Sequence, residues 1–255
     1  MQNEIGDTAN NIKREISIVY EDEDLLALNK PSGISVHPDG KSEELTLVDW
    51  VIERYPEMEK VGEPLKVSSG AVVNRAGIVH RLDKETSGIV LFAKHQDAFF
   101  YMKELFKNRE VKKTYKAFVY GEMSLPAGGD TGVIDRPIGR SKKDFRLKSA
   151  TRGASGKLRD AVTEYKVERS AHGFSYLSVF PKTGRTHQIR VHLKAVNYPI
   201  VCDKLYAPKK PCELGFKRLA LHAFSLSFKT SRGENLTLEV PLPRDFKGAL
   251  AELEK

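Results

Sequence analysis

Sulfur is scarce in this chain of 255 residues: two cysteines and four methionines, beside a single tryptophan. Cys202 and Cys212 are too few for a disulfide framework, and their spacing matches no paired zinc-ligand pattern. A disulfide miniprotein and a zinc module are excluded on that count, and a reducing, cytoplasmic compartment is expected. No stretch approaches the ~20 consecutive apolar residues of a membrane helix, so an integral membrane role is not expected. The opening MQNEIGDTANNIKRE lacks the apolar core of a signal peptide, and residues 1–15 read as a flexible tail. Gly- or Pro-rich linkers and solenoid repeats are also missing, which leaves one domain over 16–255.

What is present is a globular composition with an uneven charge. Hydrophobic residues make up 40% and charged residues 30%, with a net charge of +8. Between 136 and 159 nine lysines and arginines face a single acid, Asp144. A second stretch, 103–116, holds six bases against Glu104 and Glu110. Such runs suit a polyanion, and the plainer alternative is solvated surface. Neither run adjoins a strongly amphipathic helix, which argues against a lipid anchor.

Periodicity outlines an α+β fold. ISIVYEDEDLLALNKPSG reads as a strand, an acidic turn and a strand, with Leu25, Leu26 and Leu28 buried. LTLVDWVIERYP places Leu47, Trp50, Val51 and Tyr55 at helical spacing, stopped by Pro56. GIVLFAK, 88–94, suits a buried strand, and Phe99, Met102, Leu105 and Phe106 form the stripe of the following helix. KTYKAFVYG, AVTEYKVER and FSYLSVFP alternate as sheet strands. The basic segment is expected as an extended loop or a pair of irregular strands. THQIRVHLKAVN reads as a helix with Thr186 as N-cap, and the last strands end at LEVPLP.

Two clusters carry chemistry. In the first, His80 to Gly88, a charged loop feeds a buried strand, a setting in which a carboxylate serves as nucleophile or base. On residue chemistry alone Asp83 serves equally well as a turn cap. A kinase reading of HRLD fails, because no Gly-rich loop precedes it. In the second, Gly184 to His192, Arg185 and Arg190 at a helix start make an anion site. His187 and His192, five apart, do not share a helix face as zinc ligands would, and both read as structural.

The ordered motifs KPSGISVHP, GIVHRLDKETSGIVLFAK, KKTYKAFVYG and PKTGRTHQIRVHL resemble those of the RluA-like pseudouridine synthases, with LHAFSLSF and LEVPLP continuing the match. The likeness runs from about Val19 to about Pro243. It implies a mixed, mainly antiparallel sheet with flanking helices and loops around a central cleft, and isomerisation of uridine in RNA without cofactor or metal. By this resemblance Asp83 is the catalytic aspartate, Tyr115 packs against the target base, and Arg190 pairs with the aspartate. Arg81 matches an arginine that fills the gap left by the flipped nucleotide. Arg140, Lys142, Lys143 and Arg185 complete the expected RNA contacts.

Family members often carry Gly-Asp after the Pro-Ile of this region, whereas Pro199-Ile200 is followed here by Val201-Cys202-Asp203. The N-terminal residues are too few for the separate S4 RNA-binding domain of many relatives. A monomeric enzyme acting on large-subunit ribosomal RNA is the first expectation, with transfer RNA as the alternative substrate. A non-catalytic RNA-binding factor for ribosome assembly is the reading from a different class.

Overall fold

The computed structural model describes residues 15–38, 44–66, 70, 72–124, 129–142, 144, 147–151 and 153–255. The expected tail, apart from Glu15, and Lys143 lie outside the described residues. The chain forms two compact units, Met1–Val111 with Ser225–Val240, and Lys112–Phe224 with Pro241–Lys255.

In the first unit β1 (Ser17–Glu21) and β2 (Leu25–Lys30) form the antiparallel hairpin expected of the acidic turn. Asp22 closes that turn, its Oδ1 accepting from the N–H groups of Asp24 at 2.9 Å and Leu25 at 2.7 Å. Helix α1 (Leu47–Arg54) opens on a reciprocal cap between Thr46 and Asp49 and buries Leu47, Val48, Trp50 and Val51. Pro56 then starts a short 3₁₀ turn, Pro56–Met58. Two brief strands, β3 (Leu65–Lys66) and β4 (Val72–Val73), pair antiparallel. All seven residues of β5 (Ser87–Ala93) are buried, and the strand lies antiparallel to β2 from Leu25↔Ala93 to Lys30↔Gly88. Helix α2 (Gln96–Lys107) buries Phe99, Met102 and Leu105 of the stripe read from its spacing, while the fourth member, Phe106, is only partly buried.

The second unit is built on the antiparallel order β6 (Lys112–Tyr120), β12 (Phe174–Pro181), β11 (Val162–Ala171), β7 (Thr131–Asp135). The basic segment is more ordered than expected. It folds into a small antiparallel sheet in which β8 (Ile138–Ser141) lies between β9 (Lys148–Ser149) and β10 (Ala154–Arg159). Ile138 and Ala150 anchor this sheet in an apolar cluster with Ala161, Val191 and Tyr206.

Helix α3 (Gln188–Ala195) follows, and its N-cap is His187 in the left-handed conformation, φ 56°, rather than Thr186. A left-handed entry places no cap side chain over the first turn, and Gln188 Oε1 instead ties back the preceding loop, accepting from Arg185 N at 3.0 Å. Strand β13 (Leu221–Lys229) pairs with β14 (Asn235–Glu239) through Ser225–Lys229, in the first unit. A last helix, α4 (Arg244–Glu252), was not anticipated, although Phe246, Ala249, Leu250 and Leu253 have helical spacing. Phe246 packs edge-on against Phe118 and Phe216 in the second unit's core. The fold is α+β, as expected.

Candidate active site

Asp83 stands at the tip of a backbone hairpin. Residues 77–80 run back along the far end of β5: Ala93 N donates to Gly77 O at 2.9 Å, Ile78 bridges Phe92, and Leu91 N donates to His80 Nε2 at 2.9 Å. Accepting at Nε2 fixes the neutral His80 as the Nδ1–H tautomer, and its ring stacks on Phe106 at 4.9 Å. Between the two arms Thr86 N bonds Asp83 O at 3.1 Å, so the turn through the aspartate is closed by its own backbone. Thr86 and Ser87 behind it are buried.

The tip is bolted from the side by Lys30. This lysine is 0% exposed, and its ammonium donates to the carbonyls of Pro31 at 2.8 Å, Ile34 at 2.9 Å and Lys84 at 3.1 Å. Three carbonyl dipoles satisfy a charge that is otherwise costly to bury. Gly33 N to Lys84 O, 2.9 Å, and Ser32 Oγ to Glu85 O, 2.7 Å, sew the same two loops together. The KPSG turn is thus the backing of the aspartate loop, a role that sequence spacing alone did not reveal.

Arg81 is exposed and donates to His37 Nε2 at 2.9 Å. His37 Nδ1 faces Pro38 O at 2.9 Å and must donate there, so His37 is neutral and aims an acceptor at the arginine. Lys84 is held by Glu44 in an exposed ion pair.

The second unit organises Arg190. Its Nε donates to Asp203 Oδ2 and its Nη2 to Asp203 Oδ1, both at 2.8 Å, with both residues buried. Asp203 Oδ1 also accepts from the N–H groups of Leu205 and Tyr206, each at 3.0 Å. The Tyr206 ring lies under the Arg190 guanidinium at 5.1 Å. The Tyr206 hydroxyl accepts from Lys148 N of the basic sheet at 3.0 Å and bonds His187 Nδ1 at 2.9 Å. Sequence reading missed Asp203 and Tyr206; the signal was their spacing of three, which places both on one turn.

Gln188 is fully used. Its Nε2 donates to Val162 O and Thr163 Oγ1, and its Oε1 accepts from Thr183 Oγ1 at 2.6 Å besides Arg185 N. His192, also buried, bonds Thr163 Oγ1 and Arg136 O, each at 2.9 Å. The carbonyl only accepts, so Nε2 carries the proton, and burial holds this histidine below its ordinary pKa. The structural reading of His192 stands.

Cys202 takes a left-handed conformation, φ 58°, where a glycine would be unstrained and any other L-residue pays about 1 kcal/mol. Here Cys202 is bonded to Cys212, ten residues on, with their Cα atoms 4.4 Å apart. The cysteine count pointed to no such bond. The Tyr120 hydroxyl reinforces the same loop closure, accepting from Cys202 N at 3.1 Å and donating to Pro211 O.

Of the other expected residues, Tyr115 is half-buried on β6, opposite Val179 of β12. Arg140 and Lys142 are exposed on the basic sheet, Arg140 lying opposite Lys148. Arg185 is partly buried, with its Nε committed to Asp160 O at 3.0 Å. Among the described residues no three His, Cys, Asp or Glu side chains gather as a metal site, and no helix is long and apolar enough to cross a membrane.

The likeness to known proteins gives the class, an RNA-modifying isomerase. The profile of the family described as RNA pseudouridylate synthase matches residues 24–195. An uncharacterized RNA pseudouridine synthase of Bacillus subtilis is 37% identical over 242 residues, covering 94% of this chain and 74% of its own length. The ribosomal large subunit pseudouridine synthase D of Xanthomonas campestris is 38% identical over 252 residues, covering 94% and 70%. The chain spans 61–74% of the length of the first curated relatives it matches. Among solved structures, human RNA pseudouridylate synthase domain containing 4 aligns with a TM-score of 0.71 at 27% identity, covering 100% of this chain and 98% of that one. The chain belongs to the RNA pseudouridylate synthase family, among its RluA-like members, isomerases that convert uridine to pseudouridine in RNA.

Proposed function

We propose that this protein isomerises a uridine of large-subunit ribosomal RNA in the cytoplasm, as a monomer without metal, with Asp83 as the catalytic carboxylate. The observation that carries the reading is the anchoring of the Asp83 turn by the buried Lys30 ammonium. A fixed carboxylate is what a reaction at an anomeric carbon calls for, because cleavage of the N1 glycosidic bond develops positive charge on the sugar. Asp83 stabilises or captures that charge, the freed base turns, and C5 joins the same carbon, displacing Asp83 where it had bonded; C5 then loses its proton and N1 of the product carries one, so the reaction is a net isomerisation. The target uridine leaves its stack at a cost of ~a few kcal/mol, which favourable contacts to the RNA backbone offset.

Those contacts are assigned to Arg81, to Arg140, Lys142 and Lys143 of the basic segment, and to Arg185. Tyr115 is assigned to the target base and Arg190 to support of the carboxylate, as the family likeness implies. The choice of ribosomal RNA is supported by relatives named ribosomal large subunit pseudouridine synthase D.

The test is chemical mapping of pseudouridines in total RNA from cells with the protein, without it, and with Asp83→Asn. A large-subunit site lost in both the deletion and the variant is expected, with RNA affinity of the variant within a few-fold. A site lost only from transfer RNA overturns the substrate, and an Asn variant that still forms pseudouridine overturns the role of Asp83.

A further inference from the structure

The hairpin that carries Asp83 also carries an arginine, Arg75, that pairs with none of the described residues. Arg75 opens a tight turn whose central residues, Ala76 and Gly77, both have positive φ, 44° and 76°. Ile78 N closes it on Arg75 O at 3.0 Å. Two successive left-handed residues are disfavoured when the first is alanine. The second has to be glycine, because a Cβ on Gly77 would lie 1.9 Å from the carbonyl oxygen of Ala93. Gly77 is tied on both sides, by its N–H to Val61 O at 2.8 Å and by its carbonyl to Ala93 N at 2.9 Å. The turn is therefore strained and rigid at once, a combination that marks functional positions.

The guanidinium on this support is half-buried, and among the described residues it makes no hydrogen bond or ion pair. Its Nε–H is shielded from water and has no acceptor. The charges that reach it are Arg81, of the same sign, and Glu63, which already pairs with Lys103. Burial, and then Arg81, weaken the hold of Arg75 on its proton. A partly desolvated cation with no partner among the described residues, in the field of a second cation, destabilises a fold, so stability does not account for it.

We propose that Arg75 is an RNA-binding residue that, with Arg81, holds a backbone phosphate of the RNA substrate on the Asp83 hairpin. The chemistry matches: two planar guanidinium forks provide the donors that a phosphodiester accepts, and Arg75, whose Nε–H is shielded, offers the anion its Nη groups. His37 holds Arg81 in place through its Nε2 and needs no charge to do so. The proposal rests on the RNA reading given above.

Its test compares wild type, Arg75→Gln and Arg75→Lys by melting temperature and by binding, over a series of salt concentrations, to a transcript of large-subunit ribosomal RNA. The Gln variant should melt at or above the wild-type temperature, because a buried unpaired charge is gone. It should nonetheless bind roughly tenfold more weakly at low salt, with a slope of log affinity against log salt flatter by about 0.7–0.9. The Lys variant should keep the wild-type slope at intermediate affinity. A Gln variant that melts lower and binds as wild type makes Arg75 structural and overturns the proposal, as does unchanged affinity and slope at any melting temperature. A wild type that fails to bind the transcript overturns the functional reading along with it.

Discussion

Replacing Asp203 by Asn removes one charge from a pair that water does not reach. The carboxylate accepts four hydrogen bonds, two from Arg190 and two from the backbone of Leu205 and Tyr206. An asparagine has one oxygen. Set at Oδ1, it keeps three of those bonds and turns its NH₂ toward Arg190 Nε–H, donor against donor. Flipped, it loses Arg190 Nη2 and both backbone donors. Either way Arg190 loses the charge of Asp203 from a buried bidentate pair, and breaking such a pair from one side costs about 3–5 kcal/mol. For a chain of this size each kcal/mol lowers Tm by roughly 2–4 °C, so a fall of about 6–20 °C is expected in a thermal melt. An Asn variant within about 1 kcal/mol of wild type, by denaturant titration, would refute the claim that the pair is desolvated.

The disulfide should stabilise the second unit by about 2.5–3 kcal/mol, the chain-entropy value for a loop of this length. Cys212→Ser, at an exposed position, should therefore melt lower than the oxidised protein and no longer respond to reductant; identical melts would deny the bond any role. Burial keeps His192 neutral in the fold while the unfolded chain takes up a proton below about pH 6.5. Stability should thus fall as the pH drops from 6.5 toward the lower folded value, by up to about 1.4 kcal/mol per unit, and His192→Gln should flatten that slope in pH-resolved denaturation. Gly77→Ala should cost roughly 3 kcal/mol or more, since backbone rather than a flexible side chain blocks the added methyl; a melt within a few degrees of wild type would contradict the close approach. Replacing Arg140, Lys142 and Lys143 together by Gln should flatten the salt slope of RNA binding by about two and leave turnover at saturating RNA nearly unchanged. A wild-type slope would show these residues to be solvated surface.

Local pattern carried the regular elements, because their signals are contained within them. The stripe of α2 and the alternation of β6, β11 and β12 are repeated many times in a few residues, and burial follows from them directly. The Asp83 loop was legible as a charged segment before a buried strand. Its backing was not, since Lys30 lies 53 residues before Asp83 and a lysine in a turn reads as surface. His187 was missed as the N-cap for a related reason: left-handed entry into α3 follows from contacts with Tyr206, 19 residues on, rather than from cap propensity. The basic segment has almost no period, because two of its three strands are edges and the apolar anchors are single residues, Ile138 and Ala150. Residue type alone could not separate Arg75, whose Nε finds no acceptor among the described residues, from arginines with partners.

The ammonium beneath the Asp83 turn has a consequence for who adapts to whom during recognition. A loop that opens and closes on its substrate must be able to part from the strands beneath it at low cost, whereas this one cannot lift away without taking the Lys84 carbonyl from the buried Lys30 ammonium and breaking its bonds to Gly33 and Ser32. Its amides should accordingly exchange with solvent hydrogen only when the surrounding sheet does. The aspartate behaves as part of the sheet's framework, and the deformation needed to bring a uridine to it falls on the nucleic acid.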